Sequence, residues 1–160
     1  MIIAVHQGPS PQGNIKNALA RVNETLAKAA SKDVEMVVFP ELFLPGYNQM
    51  KSHAHVAQKQ GGTWETQLAA LAKDHGCGLT IGWAERDGDK IYNSASTFDR
   101  TGEKLSHYRK IQLWGSTEKA TFEFGDRYST FMLAGVKTGL LICYDIEFPQ
   151  HVRALAQMGV

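Results

Sequence analysis

The chain has 160 residues, 17 basic and 16 acidic, a length and balance that fit one soluble domain, residues 1–160, with enough chain to bury a core. A formal net charge of +1 argues against a nucleic-acid or membrane-surface partner, and no apolar run approaches the roughly 18–20 residues of a membrane span. Met1–His6 carries neither a basic leader nor a cleavage site, so a cytoplasmic location is expected, and the only cysteines, Cys77 and Cys143, lie too far apart for a CxxC motif and suggest neither a disulfide framework nor a zinc site.

In chain order, the β-branched, apolar Met1–Val5 reads as a first strand, followed by a Pro- and Gly-rich loop, Gln7–Gly13. Asn14–Ala30 places Ile15, Leu19, Val22, Leu26 and Ala29 at helical spacing with basic residues opposite, which predicts an amphipathic helix. Glu35–Phe39 is a short buried strand that Pro40 ends just ahead of Glu41. This β-α-β order implies a crossover connection and a layered α/β core. Leu44–Gly62 is loop-like. Its His53 and His55 have no carboxylate beside them and read as solvated residues, so no metal is expected. Thr63 is placed to cap a second amphipathic helix running to about Asp74, and Gly76 stops it.

Gly78–Ala84 and Lys90–Phe98 read as neighbouring strands joined through Arg86–Asp89, whose Asp-Gly-Asp is a hairpin signal. Leu105–Arg109 gives a short strand ending at Lys110, and Gln112–Phe124 is irregular with one helical turn. Ser129–Leu133 and Val136–Ile142 form a last hairpin turning at Ala134-Gly135. The continuous apolar run Leu140–Ile142 suits a strand buried on both faces, and it delivers Cys143 onto a turn leading into a helix, Gln150–Met158, with Pro149 in its first turn. A side chain at such a junction is held by rigid elements yet points out of the core, where a reactive thiolate is needed. Taken alone, Cys143 would still read as a buried structural thiol, and Glu41 and Lys110 as solvated loop residues.

Taken together, FPELFLPGY, YRKIQLWG and LLICYDIEFPQ resemble, in order, the three signature blocks of the nitrilase superfamily of carbon–nitrogen hydrolases, and the resemblance runs from the opening strand to the helix after the cysteine. It implies an α/β fold, an α-β-β-α sandwich, and a catalytic triad at Glu41, Lys110 and Cys143. Glu118, eight residues after Lys110, matches a second glutamate that many members place beside the triad. Departures occur at Gln112, Phe124 and Gln150, none of them in the triad. Family chains continue well past this length, and Gly159-Val160 after a helix announces a further strand, so the sandwich is expected to be incomplete in these 160 residues.

The three residue types suit amide hydrolysis on chemical grounds. A cysteine thiol is a stronger nucleophile than water, a carboxylate can shuttle its proton, and a cation can meet the developing oxyanion. The backbone N–H of Tyr144 is a second oxyanion donor, and Tyr47 and Trp114 are candidates to wall a small pocket. No cofactor is called for. The expected activity is hydrolysis of a small amide through a cysteine thioester. Nitrile or N-carbamoyl hydrolysis and acyl transfer are alternatives that use the same triad, and a catalytically silent fragment or binding module is the rival of another class. Sheet faces and edges that lack cover predict a homo-oligomer.

Overall fold

Two short apolar segments, Ile3–Val5 (β1) and Met36–Val38 (β2), pair in parallel, and the helix between them, Ile15–Ala30 (α1), makes the crossover. The computed structural model describes all 160 residues. Asn14 caps α1, its side chain accepting from the Asn17 N–H at 3.0 Å, and Ala18, Val22, Leu26 and Ala29 form the buried stripe. Where a loop is expected, Met50–Val56 forms a short helix (α2), and His53 on it is fully buried, its Nε2 3.0 Å from the Gly46 carbonyl. His53 is therefore a core residue and not a solvated one. Thr63–His75 (α3) follows. Gly62, not Thr63, occupies its cap position, and Gly76 ends it in a left-handed conformation.

Gly78–Asp87 (β3) pairs in parallel with β2, and a two-residue turn with Gly88 at φ +59° returns the chain antiparallel as Lys90–Phe98 (β4), then Lys104–Arg109 (β5). The result is a five-stranded sheet in the order β1-β2-β3-β4-β5. Alternation along the strands divides its faces. Val37, Leu79, Ile81 and Trp83 join α1 and α3 in the largest apolar cluster, while Met36, Ala95 and Tyr108 meet the rest of the chain on the other side.

That other side is covered by a hairpin, Thr130–Leu133 (β6) and Val136–Gly139 (β7), reached through a helix, Gly115–Thr121 (α4), in the segment expected to be mostly irregular. Phe131 and Leu133 pack on Met36. A last helix, Pro149–Gln157 (α5), lies behind the hairpin, with Leu155 so near Gly139 that a Cβ there would come within 3.0 Å of it. Helices, sheet, hairpin and helix thus stack in the α-β-β-α order. No helix is long and apolar enough to cross a membrane.

The strand expected to run to Ile142 stops at Gly139. Thr130, the first residue of β6, pairs with Gly139, so Leu140 lies beyond the ladder except for one bond to the Ser129 carbonyl at 3.4 Å. Leu140, Leu141 and Ile142 instead continue as extended chain and pack on Ala95 and Tyr108 of the large sheet. Burial against the sheet face, and not ladder pairing, accounts for their apolar character.

Candidate active site

Glu41, Lys110 and Cys143 come from three separate segments and meet at one end of the space between the two sheets. Lys110 directly follows β5, its N–H held by the Asn93 carbonyl at 2.8 Å. Glu41 follows β2 by three residues on a loop pressed against β3. A Cβ on Gly82 would lie 2.4 Å from the Leu42 nitrogen and 2.7 Å from the Glu41 Cα, so only glycine lets that loop approach. Cys143 opens a 3₁₀ turn, Cys143–Glu147, and sits at φ +48°, a left-handed conformation costing about 1–3 kcal/mol for a residue with a Cβ. It is not at a strand end, contrary to the sequence-based expectation, but it is exposed, whereas Cys77 is buried in the core.

Lys110 is the centre of the charge arrangement. Its Nζ, fully buried, lies 2.6 Å from Glu41 Oε1 and 3.1 and 2.9 Å from the two oxygens of Glu118. Burial alone would lower its pKa, but the Glu41 and Glu118 carboxylates outweigh that and push it up, so the ammonium persists. Glu118, itself 1% exposed, also accepts from the Tyr47 hydroxyl at 2.6 Å and the Trp114 N–H at 2.9 Å. Its four contacts fix both the lysine and the walls beside it. Asn93 Nδ2 donates to Glu41 Oε1 at 2.7 Å. The Glu41 side chain keeps 17% exposure and faces the thiol.

Burial and then the negative charge of Glu41 push the Cys143 thiol above its ordinary pKa, with Lys110 opposing them. The resting side chain is thus a thiol and not a preformed thiolate, and the Glu41 carboxylate beside it is a group able to accept its proton. The Tyr144 N–H has no backbone acceptor.

Glu41, Tyr47, Trp114, Cys143, Tyr144 and Glu147 line a cleft of about 720 Å³. The structure therefore brings together every residue singled out from the sequence: Lys110 and Glu118 beneath the cleft, and Glu41, Cys143, Tyr144, Tyr47 and Trp114 along it. Trp114, 57% exposed, is a wall residue and not core. Two residues were not anticipated. Asn93 stands in β4 on the face of Ala95, a buried amide among small residues, which is a weak signal in sequence. Glu147 adds a second carboxylate to the cleft and carries no sequence signal beyond its proximity to Cys143. No group of three or more His, Cys, Asp or Glu side chains is placed to hold a metal ion.

The carbon-nitrogen hydrolase family profile matches residues 2–160. An (R)-stereoselective amidase from a Pseudomonas species is 37% identical over 159 residues, covering 99% of this chain and 57% of its own length. A 2-oxoglutaramate amidase from Bacillus subtilis is 32% identical over 151 residues, covering 93% of this chain and 56% of its own length. Among solved structures, a doubly mutated amidase from Nesterenkonia sp. AN1 in complex with acrylamide is 30% identical with a TM-score of 0.92, covering 99% of this chain and 61% of that one. The chain thus spans a little over half the length of the curated relatives it matches.

Proposed function

From the premise that this chain belongs to the carbon-nitrogen hydrolase family, we propose that it cleaves small amides to a carboxylic acid and ammonia or an amine, with Cys143 as nucleophile, Glu41 as general base and acid, and Lys110 as oxyanion partner. The observation that carries the proposal is the convergence of a protonated thiol, a partly exposed carboxylate and a buried ammonium, Lys110 Nζ being 2.6 Å from Glu41 Oε1.

Glu41 takes the Cys143 proton as sulfur forms a bond to the amide carbon, and the C=O π pair moves onto oxygen. Lys110 Nζ and the Tyr144 N–H meet that oxyanion, a kind of donor whose loss typically costs about 2.7–4 kcal/mol. The oxyanion pair returns, the C–N bond breaks, and Glu41 gives its proton to the departing nitrogen, leaving a thioester. Water then loses a proton to Glu41 and attacks the thioester carbon. The C–S bond breaks, the proton returns to sulfur, and the acid leaves. Glu118 stays out of these transfers because its oxygens are occupied by Lys110, Tyr47 and Trp114, and it holds Lys110 in place. Amides fit the cleft because Tyr47, Trp114 and Tyr144 give it aromatic walls suited to a small uncharged acyl group.

The test is ammonia release from small amides such as acrylamide and butyramide, with intact-mass detection of the thioester. Cys143→Ala is expected to abolish both while leaving the melting curve nearly unchanged, since little packing is lost at an exposed site. Persisting turnover in that variant would refute the assignment. Hydroxamate formation from hydroxylamine reports acyl transfer from the same thioester.

We also propose that residues 1–160 act as one carbon-nitrogen hydrolase domain that forms a homo-oligomer. Met132, Val136, Ile146, Val152 and Met158 are exposed on or beside the hairpin and α5, a set of apolar side chains that a second copy would cover. Sedimentation equilibrium at micromolar concentration is expected to give a discrete oligomer, and a stable compact monomer would refute this.

A further inference from the structure

Asp145 is fully buried in the turn that carries Cys143, yet no cation pairs with it. Three donors satisfy it instead. Its Oδ2 accepts from the Ile142 N–H at 2.9 Å and the Tyr108 hydroxyl at 2.8 Å, and its Oδ1 accepts from the Gln112 N–H at 2.7 Å. Ile142 immediately precedes the nucleophile, and Tyr108 and Gln112 lie two residues before and two after Lys110. One carboxylate therefore ties the strained turn bearing the thiol to both flanks of the lysine.

We propose that Asp145 is a positioning residue for the reaction: it sets the distance between the Cys143 thiol and the Glu41–Lys110 pair by clamping Ile142 to Tyr108 and Gln112. It touches neither substrate nor reacting atoms and acts only through the backbone it holds. Two features of the surroundings demand such a clamp. Cys143 occupies a left-handed conformation that the local chain does not favour, and β7 stops at Gly139, so no ladder bond holds Leu141 or Ile142. Buried charge-assisted hydrogen bonds to N–H and O–H groups are strong and directional, which suits them to hold a turn that sheet pairing does not. The clamp extends outward as well. The Gln112 side chain reaches His151 of α5 at 3.2 Å, and the Tyr128 hydroxyl meets the other ring nitrogen of His151 at 2.7 Å. The last helix is thereby linked to the same assembly.

Because Asp145 acts through Cys143, the proposal stands only if Cys143 is the nucleophile, and the two are separated by experiment. Asp145→Asn keeps the size but turns an NH₂ toward one of the three donors, breaking the clamp on one side. Provided the wild type turns over amide, kcat is expected to fall about 100-fold, the scale of a misplacement of about 1 Å, with KM within about threefold and measured below the melting transition. Tyr108→Phe removes one donor and leaves the carboxylate, and should lower kcat about tenfold, with KM again little changed. It carries the test if Asp145→Asn does not fold. Wild-type kcat in either folded variant overturns the proposal, as does a loss confined to the melting temperature. A second measurement does not depend on turnover. In the wild type, the Ile142 and Gln112 amides are expected to be protected from hydrogen exchange, and in Asp145→Asn at least one of them should exchange at least tenfold faster than other amides of the same turn region. Equal exchange in both proteins overturns the clamp even if the chain releases no ammonia, whereas a catalytically active Cys143→Ala would overturn the nucleophile and with it the positioning role, while the exchange measurement still reports whether Asp145 holds the turn.

Discussion

Arg109 and Lys110 are consecutive, yet they enter two different charge clusters on opposite sides of the same sheet. Arg109 joins Glu85, whose oxygens also receive the Ser94 hydroxyl at 2.5 Å and His107 Nε2 at 2.7 Å, and its guanidinium sits 3.8 Å from the centroid of the Tyr92 ring. Lys110 joins Glu41 and Glu118. Both clusters bury carboxylates against cations, but their openings differ. The cavity beside Arg109 is small, about 270 Å³, and lined only by Gln60, His107, Arg109, Asp126 and Arg127. The cleft above Lys110 is larger and carries aromatic walls and the one exposed thiol. A buried ion cluster is thus no sign of chemistry by itself. What distinguishes the second is a carboxylate left partly exposed, with an exposed thiol facing it.

If that distinction holds, the two clusters should fail differently when broken. At the cleft, Glu41→Gln cannot take the thiol proton, so turnover should fall by about 10²–10⁴-fold, the usual worth of a general base, with little change in melting temperature. Steady-state kinetics and thermal unfolding on the same sample check this, and activity within tenfold of wild type would remove Glu41 from the role. On the other face, Glu85→Gln should do the reverse. Stability should drop by about 3 kcal/mol because Arg109 and His107 lose a charged partner, although Asp87 still pairs with Arg109. Turnover should stay within about twofold. Urea unfolding gives the first quantity and ammonia release the second, and a large activity loss in Glu85→Gln would erase the contrast between the clusters.

How much of this was legible in the sequence follows from the same contrast. Glu41, Lys110 and Cys143 were singled out only because FPELFLPGY, YRKIQLWG and LLICYDIEFPQ resemble three family blocks in order, and the fold brings the three residues to one cleft. Asn93 was missed because a buried amide in a strand of small residues looks like any other strand position. The helix Met50–Val56 was missed because seven residues with two histidines show no apolar period, and His53 became core only through packing against distant chain. Leu140–Ile142 read as a strand because an apolar run of that length is equally consistent with extended chain buried on a sheet face, and periodicity cannot separate the two. Asp145, between a tyrosine and an isoleucine, gave no hint that its partners would be Tyr108 and Gln112. The left-handed Cys143 was equally invisible, since nothing in the residue type announces it.

The last effect expected is a pH dependence that belongs to one cluster alone. Burial pushes the Glu85 carboxyl up, but hydrogen bonds from His107 and Arg109 outweigh that and bring it down to about 2, from an ordinary value of 4.5. A carboxylate whose pKa is depressed in the fold stabilises it fully above the unfolded value. As pH falls from 4.5 toward 2, the unfolded chain binds the proton first, so stability is lost across that window and not above it. The shift corresponds to about 3 kcal/mol in total. Against the opposing effect of burial, the Asp99 carboxyl is also held below its ordinary value by hydrogen bonds from Thr101 and Glu103, so the wild-type curve alone does not isolate Glu85. The difference between wild type and Glu85→Gln does. It should stand near 3 kcal/mol at pH 6, begin to shrink below about pH 4.5 and be mostly gone by pH 2, where Glu85 is half protonated, vanishing only below that pH. Urea titrations at pH 6, 4, 3 and 2 measure it. A difference that stays constant through the window would mean that Glu85 stabilises the fold by shape and hydrogen bonding without its charge, and the two clusters would then differ in the state of their carboxylates as well as in their openings.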